Sequence, residues 1–213
     1  MKKYLILAAF ALCTIPSAFA APLQMNAQSV PVPPGTTAVC NKLTEYKKQL
    51  EVAGNNYERL IECFIDDQTI LALPKNKQAL LTSERYLLGT SVYCDRRNVT
   101  PSEIKLFFDG MQNNVDAVRL NQPAKLANGT VVTYTDSRVL KRNSTGILIK
   151  RMSVSQIPGV NKKVSLVQYL FYKKVGNSMA NLTMYHPDYG KAGNSKALKR
   201  FAKWCKSVYQ KAS

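Results

Sequence analysis

Histidine is scarce in this chain: of 213 residues only His186 carries an imidazole. A two-histidine metal site, a His–Cys zinc site and paired-histidine acid–base catalysis cannot be assembled from it alone. The histidine stands in Tyr185-His186-Pro187-Asp188-Tyr189-Gly190, where Asp188 could orient it as the general base of a hydrolase. The same Pro and Gly also describe an ordinary exit turn in which Asp188 bonds backbone amides, and no nucleophile accompanies the pair. The adjacent carboxylates Asp66-Asp67 read as a solvated helix end rather than a glycosidase pair. No G-x-S-x-G, P-loop, H-E-x-x-H or Gly-rich dinucleotide fingerprint occurs. The sequence therefore points to no catalytic residue, no cofactor and no metal.

Cysteine supplies an address rather than chemistry. Lys2 and Lys3, the apolar run from Tyr4 to Ile15, and Ala18-Phe19-Ala20 form the three parts of a secretory signal peptide over residues 1–20. The apolar run is too short to span a bilayer. Cys13 follows Leu12 where a lipobox needs a small residue, so lipidation is not expected. Beyond the leader stand Cys40, Cys63, Cys94 and Cys205, an even set without metal-ligand spacing, which implies two disulfides in a periplasmic or secreted protein. The short Met-Lys-Lys leader suits a Gram-negative envelope.

The charge is lopsided. Between Ala21 and Val118 ten Lys and Arg face eleven Asp and Glu, whereas from Arg119 onward eighteen Lys and Arg face only Asp136 and Asp188, a net of +16. Such asymmetry concerns partners and solubility, not fold, and a compartment-wide bias toward basic proteins would also produce it.

The elements that must position these charges begin after a Pro-rich linker at 21–37, whose five Pro and Gly residues, Pro22, Pro31, Pro33, Pro34 and Gly35, forbid a regular helix or central strand. Val39, Leu43, Tyr46, Leu50, Ala53, Tyr57, Leu60 and Phe64 then recur at spacings of three and four, which predicts a helix over about 38–66. A second stripe predicts a helix over 76–94. Thr100-Pro101-Ser102-Glu103 is a capping box with proline at the first helical position and predicts a third over 101–118. Past Asn121 the period becomes two, and the runs 131–141, 147–155, 164–174 and 179–186 predict a four-stranded antiparallel meander over 131–186, with Gly176-Asn177 as its last turn. A basic amphipathic helix closes the chain at 195–210. The expected fold is thus α+β, a single domain over 38–213 with a neutral helical half and a basic sheet half.

A meander brings its first and third connections to one end. Lys141, Arg142, Lys173 and Lys174 should therefore share a rim, while Lys150 and Arg151 point to opposite faces. Tyr169, Tyr172 and Tyr185 are interleaved with these cations, though strand aromatics usually pack rather than bind. The Lys-rich face of the closing helix is of a kind that is usually just solvated. A straight helix over 39–64 would hold Cys40 and Cys63 ~34 Å apart, so the expected pairs are Cys40–Cys94 and Cys63–Cys205.

The function expected from these features is that of an exported, non-catalytic binding protein. Its basic half would engage an anionic partner: envelope lipid or lipopolysaccharide, nucleic acid, or an acidic protein surface. A shape-specific protein inhibitor or immunity-type partner is the alternative, with a hydrolase using His186 and Asp188 behind it.

Overall fold

A computed structural model describes residues 30–40, 42, 44, 47, 58–91, 99–126, 129–175 and 178–212. The leader with its cleavage site, Cys94, the Gly176-Asn177 turn and most of 41–57 fall outside these residues. The frame is one antiparallel sheet of eight strands: β1 (Thr36–Ala38), β2 (Glu58–Asp66), β3 (Arg85–Ser91), β4 (Pro123–Lys125), β5 (Val131–Arg142), β6 (Gly146–Gln156), β7 (Val164–Val175) and β8 (Ser178–Pro187). Three α-helices are described, α1 (Asp67–Ala72), α2 (Pro101–Asp116) and α3 (Gly190–Ala212), with a 3₁₀ segment at Lys77–Thr82. The strands lie in the order β1-β2-β3-β8-β7-β6-β5-β4.

This overturns the expected arrangement of N-terminal helices beside a four-stranded meander. The run expected to end a helix at 66 is strand β2, and the run expected to be helical over 76–94 contains the 3₁₀ segment and strand β3. The strands expected between 131 and 186 are β5 to β8, but they form no sheet of their own. β3 pairs with β8, with Tyr86 opposite Met184 and Leu88 opposite Leu182, and β4 pairs with β5. The physical reason is burial on both faces. Phe64 and Ile65 are consecutive and both lie within 1% of full burial, so β2 shows no alternation, and a continuous apolar run satisfies a helical template by accident.

α2 forms as its local signal requires. The Thr100 hydroxyl accepts from Glu103 N–H at 3.3 Å, and the Glu103 carboxylate accepts from Thr100 N–H at 2.9 Å. Its Ile104, Phe108 and Val115 bury against Ile147, Ile149, Leu170 and Tyr172 on one face of the sheet. α3 covers the other face, where Phe201, Trp204 and Val208 pack on Phe64, Tyr86, Leu182 and Met184. It starts five residues before the expected 195. Gly190 takes φ +70° to turn the chain out of β8, and a Cβ on Gly193 would lie 2.3 Å from that of Tyr189, so glycines that read as loop are the start of a helix.

The expected linker is docked from Val30 onward. Val30 is buried in the α3 core, Trp204 Nε1 donates to the Pro31 carbonyl at 2.7 Å, and Thr36–Ala38 is the edge strand β1. The disulfide pairing is also different. Cys40 bonds Cys63 with Cα atoms 5.1 Å apart, because β1 and β2 are antiparallel neighbours and Val39 N–H reaches the Cys63 carbonyl at 2.9 Å. The expected Cys63–Cys205 bond cannot form: Cys63 packs in the cluster with Ile65 and Leu80, while Cys205 is a buried free thiol in the α3 core, across the sheet. With Cys63 taken, Cys40 is unavailable to Cys94 as well.

Candidate anion-binding surface

The four rim cations sit at one end of the sheet. Lys141 pairs with Leu148 and Arg142 with Ile147, while Gly146 of the connecting hairpin pairs with Lys173 and the Thr145 carbonyl accepts from Lys174 N–H at 2.9 Å. The pleat divides them between faces. Leu148 packs in the α3 core and Ile147 under α2, so Lys141 lies on the α3 side and Arg142 on the α2 side. Arg142 is ion-paired with Asp109 of α2, whose carboxylate also takes Lys105 at 2.9 Å. The Arg142 hydrogen bond, and then that of Lys105, hold the Asp109 carboxyl below the usual carboxylate range. Lys173 Nζ rests 4.3 Å from the centre of the Tyr209 ring, a cation–π contact at the C-terminal end of α3. Lys141 and Lys174 make no ion pair among the described residues.

A denser array of unpaired charge lies on α3. The helix has no acidic residue, and Lys196, Lys199, Lys203 and Lys206 are all exposed without an ion pair among the described residues. Their spacing of three, four and three places them within about 80° of arc, over ~15 Å of helix, on the side away from the buried Phe201, Trp204 and Val208. Like charges at these spacings weaken a helix by roughly 0.2–0.5 kcal/mol per pair. Arg200 is excluded from the array, since it binds Glu84 at 2.6 Å. A Lys-rich helix face is by itself the mark of solvation; what sets this one apart in the sequence is the complete lack of acids, not the number of lysines.

His186 and Asp188 are not arranged for hydrolysis. Asp188 Oδ1 accepts from Gly190 N–H at 3.0 Å and from Asn194 Nδ2 at 2.8 Å, which ties down the start of α3 and, Asn194 first, holds the carboxyl below its ordinary range. His186 is fully buried, its ring stacked between Tyr169 and Tyr189 with centroids 5.6 and 5.1 Å away. Its Nδ1 donates to the Pro187 carbonyl at 2.6 Å, and Nε2 has no hydrogen-bond partner among the described residues. Burial is the main cause that lowers its pKa. The imidazole is thus a neutral packing group, with its basic nitrogen turned away from water.

Cys40, Cys63 and Glu62 bring three ligand-type atoms within 4.8 Å of one another. The thiols are consumed by the disulfide, and one Glu62 oxygen accepts from the backbone N–H of Cys40 and Cys63 at 3.0 and 2.9 Å, so these groups are already satisfied. The disulfide fits an oxidising compartment. No helix among the described residues is long and apolar enough to cross a membrane. No protein-family model matches the chain, and no curated protein matches it.

Proposed function

We propose that the chain is an exported binding protein, released by cleavage after Ala20 into the periplasm or beyond, whose basic face engages an extended anionic surface. The observation that supports this reading best is the acid-free outer face of α3, where Lys196, Lys199, Lys203 and Lys206 lie in one stripe without an ion pair among the described residues. Repulsion among them destabilises the helix in isolation, and a polyanion would relieve it. Lys141 of the rim, on the α3 side of the sheet, extends the basic surface toward the sheet end, while Lys174, paired with Met179, stands on the α2 side. The partner classes are anionic lipid or lipopolysaccharide, nucleic acid, and acidic protein.

The test compares three double reversals of equal charge. Lys199→Glu with Lys203→Glu removes the centre of the stripe, Lys141→Glu with Lys174→Glu alters the rim, and Lys75→Glu with Lys125→Glu is a distant exposed control. Each lysine near an anionic lipid surface is worth about 1 kcal/mol, so the stripe variant should lose about 30-fold or more in affinity for anionic vesicles. That loss should exceed the control's and shrink as salt rises. Equal losses in all three would mean that only net charge matters. Binding that ignores salt would point instead to a shape-specific protein partner.

A further inference from the structure

A cleft of about 450 Å³ opens between the 3₁₀ segment and the loop that joins β6 to β7, lined by Asn76, Thr82 and residues 159–164. That volume falls in the range of small-molecule sites. The cleft lies on the sheet face that α2 covers at the other end. Val164 stands an even number of positions before Leu170 on an unbroken β7 ladder, so it projects to the same side as Leu170, which packs under α2.

Both walls are fixed from within the chain. In the loop, Val160 N–H donates to the Ile157 carbonyl at 3.1 Å, and Gly159 takes φ +76°, the conformation that a Pro-Gly turn asks of its third residue. The Gln156 side chain donates to the Val160 carbonyl at 2.9 Å. In the other wall, the Leu80 carbonyl accepts from Ser83 Oγ at 3.0 Å and from Arg85 Nη1 at 2.6 Å, and Leu80 packs on the cluster of Cys40, Cys63 and Ile65. A cleft held in this way exists before a ligand arrives, which spares much of the ordering cost of binding.

Its lining is cationic and open to solvent. Asn76, Thr82, Asn161, Lys162 and Lys163 are all exposed, and the side chains of Asn161, Lys162 and Lys163 have no hydrogen bond or ion pair among the described residues. The Thr82 hydroxyl reaches the Ala79 carbonyl at a long 3.5 Å. No Asp or Glu occurs in residues 73–83 or 151–165, so two adjacent ammonium groups share the cleft without a counter-charge from its walls. An anion seated beside both relieves their repulsion. Beneath them, Val160 is half-buried and Val164 buried, a small apolar floor.

These groups select a ligand class. Lysine offers compact, rotatable charges rather than a planar fork, which suits the tetrahedral oxygens of a phosphate better than a carboxylate. The amides of Asn76 and Asn161 and the hydroxyl of Thr82 both donate and accept, as bonding to hydroxyl groups requires. No aromatic ring lines the cleft among the described residues, so a nucleobase has nothing to stack on. We propose that the cleft binds a small phosphorylated polyol of sugar size, free or as a lipid headgroup. Lys162 and Lys163 hold the phosphate, while Asn76, Asn161 and Thr82 bond the hydroxyls. The site lies across the sheet from the lysine stripe of α3 and does not depend on it.

Titrating ¹⁵N-labelled mature protein with glucose 6-phosphate should shift the backbone amide resonances of Thr82 and residues 159–164 saturably. Lys162→Gln with Lys163→Gln should weaken that binding by about tenfold or more, as loss of charge-assisted bonds demands. Asn161→Ala should weaken glucose 6-phosphate but leave inorganic phosphate unchanged, because the amide serves the hydroxyls. Lys199→Glu with Lys203→Glu removes more net charge yet should leave the titration unchanged, which separates failure here from failure of the polyanion reading. The two sources are told apart in that α3 variant, with phosphatidylcholine vesicles containing phosphatidylinositol 4-phosphate. Co-sedimentation that Lys162→Gln with Lys163→Gln abolishes assigns the headgroup, and binding of glucose 6-phosphate without co-sedimentation assigns the free form. Neither a saturable shift nor co-sedimentation would overturn the proposal, and so would equal losses in the two lysine-pair variants. Adenosine monophosphate or inorganic phosphate binding as tightly as glucose 6-phosphate would overturn the polyol assignment.

Discussion

His186 shows how a residue's chemistry is decided by its surroundings. In the neutral state its Nδ1–H is used on Pro187 and its Nε2 is buried without a hydrogen-bond partner among the described residues, at the edge of a ring stacked by Tyr169 and Tyr189. Adding a proton at Nε2 would place an ionic N–H there without an acceptor. The nearest charges offset one another, with Glu84 and Asp188 favouring the proton and Arg200 opposing it, so burial prevails and the folded-state pKa lies below the ordinary 6.5. The sign follows from linkage. Below about pH 6.5 the unfolded chain binds a proton that the folded chain refuses, so stability falls as pH drops from there toward the folded-state pKa, and is unaffected above it. Thermal denaturation should therefore show a Tm that declines between pH 7 and pH 5, and His186→Phe, which keeps an aromatic in the stack, should flatten that decline. An unchanged slope in the variant would assign the acid sensitivity to other groups. The single histidine was legible in the sequence, and so was the exit-turn reading of Asp188; the two flanking tyrosines were visible as residue types, but their stacking depends on α3 folding back over β8.

At the scale of elements, the stripe on α3 supplies a discriminating measurement. If those lysines serve a ligand, helix stability has been sacrificed for it, and relieving one repulsion should be rewarded. Lys199→Glu places an acid three residues after Lys196 and four before Lys203, turning two repulsions into two attractions, which should raise stability by about 0.8–2 kcal/mol in urea unfolding. A lower stability would mean the stripe supports the fold itself. α2 and α3 were legible because their signals are local: a capping box in four residues, and an apolar stripe bounded by lysines. β5 to β8 were legible because alternation and turn residues survive along them. β2 and β3 were not, since Leu87 and Leu88, like Phe64 and Ile65, turn to opposite faces that are both covered. Gly89, one residue on, also reads as a breaker. It sits in the strand because a Cβ there would come within 3.1 Å of the Arg59 carbonyl of β2, a constraint no local window contains.

For the whole molecule, the decisive contacts join segments far apart in sequence. β3 lies against β8, so the near-neutral and basic halves share one sheet and cannot fold as separate layers. The same closure draws in the N-terminal segment. Pro31 accepts from the indole of Trp204, 173 residues away, and Val30 is 5% exposed within the core that the indole anchors through Phe64 and Tyr86. The structural unit thus reaches back to Val30, whereas composition alone placed its start at 38, because prolines that exclude helix do not exclude docking at a sheet edge. A chain beginning at Val30 should match the mature protein in Tm and in tryptophan emission. One beginning at Val39 loses the burial of Val30, the Trp204 hydrogen bond and the β1 ladder, together at least about 2 kcal/mol, and leaves the indole with an unmet N–H and a wetted edge. Its emission should shift to the red and its Tm should fall, while Cys40 remains free to bond Cys63. Identical spectra for the two truncations would return residues 30–38 to the status of a tether.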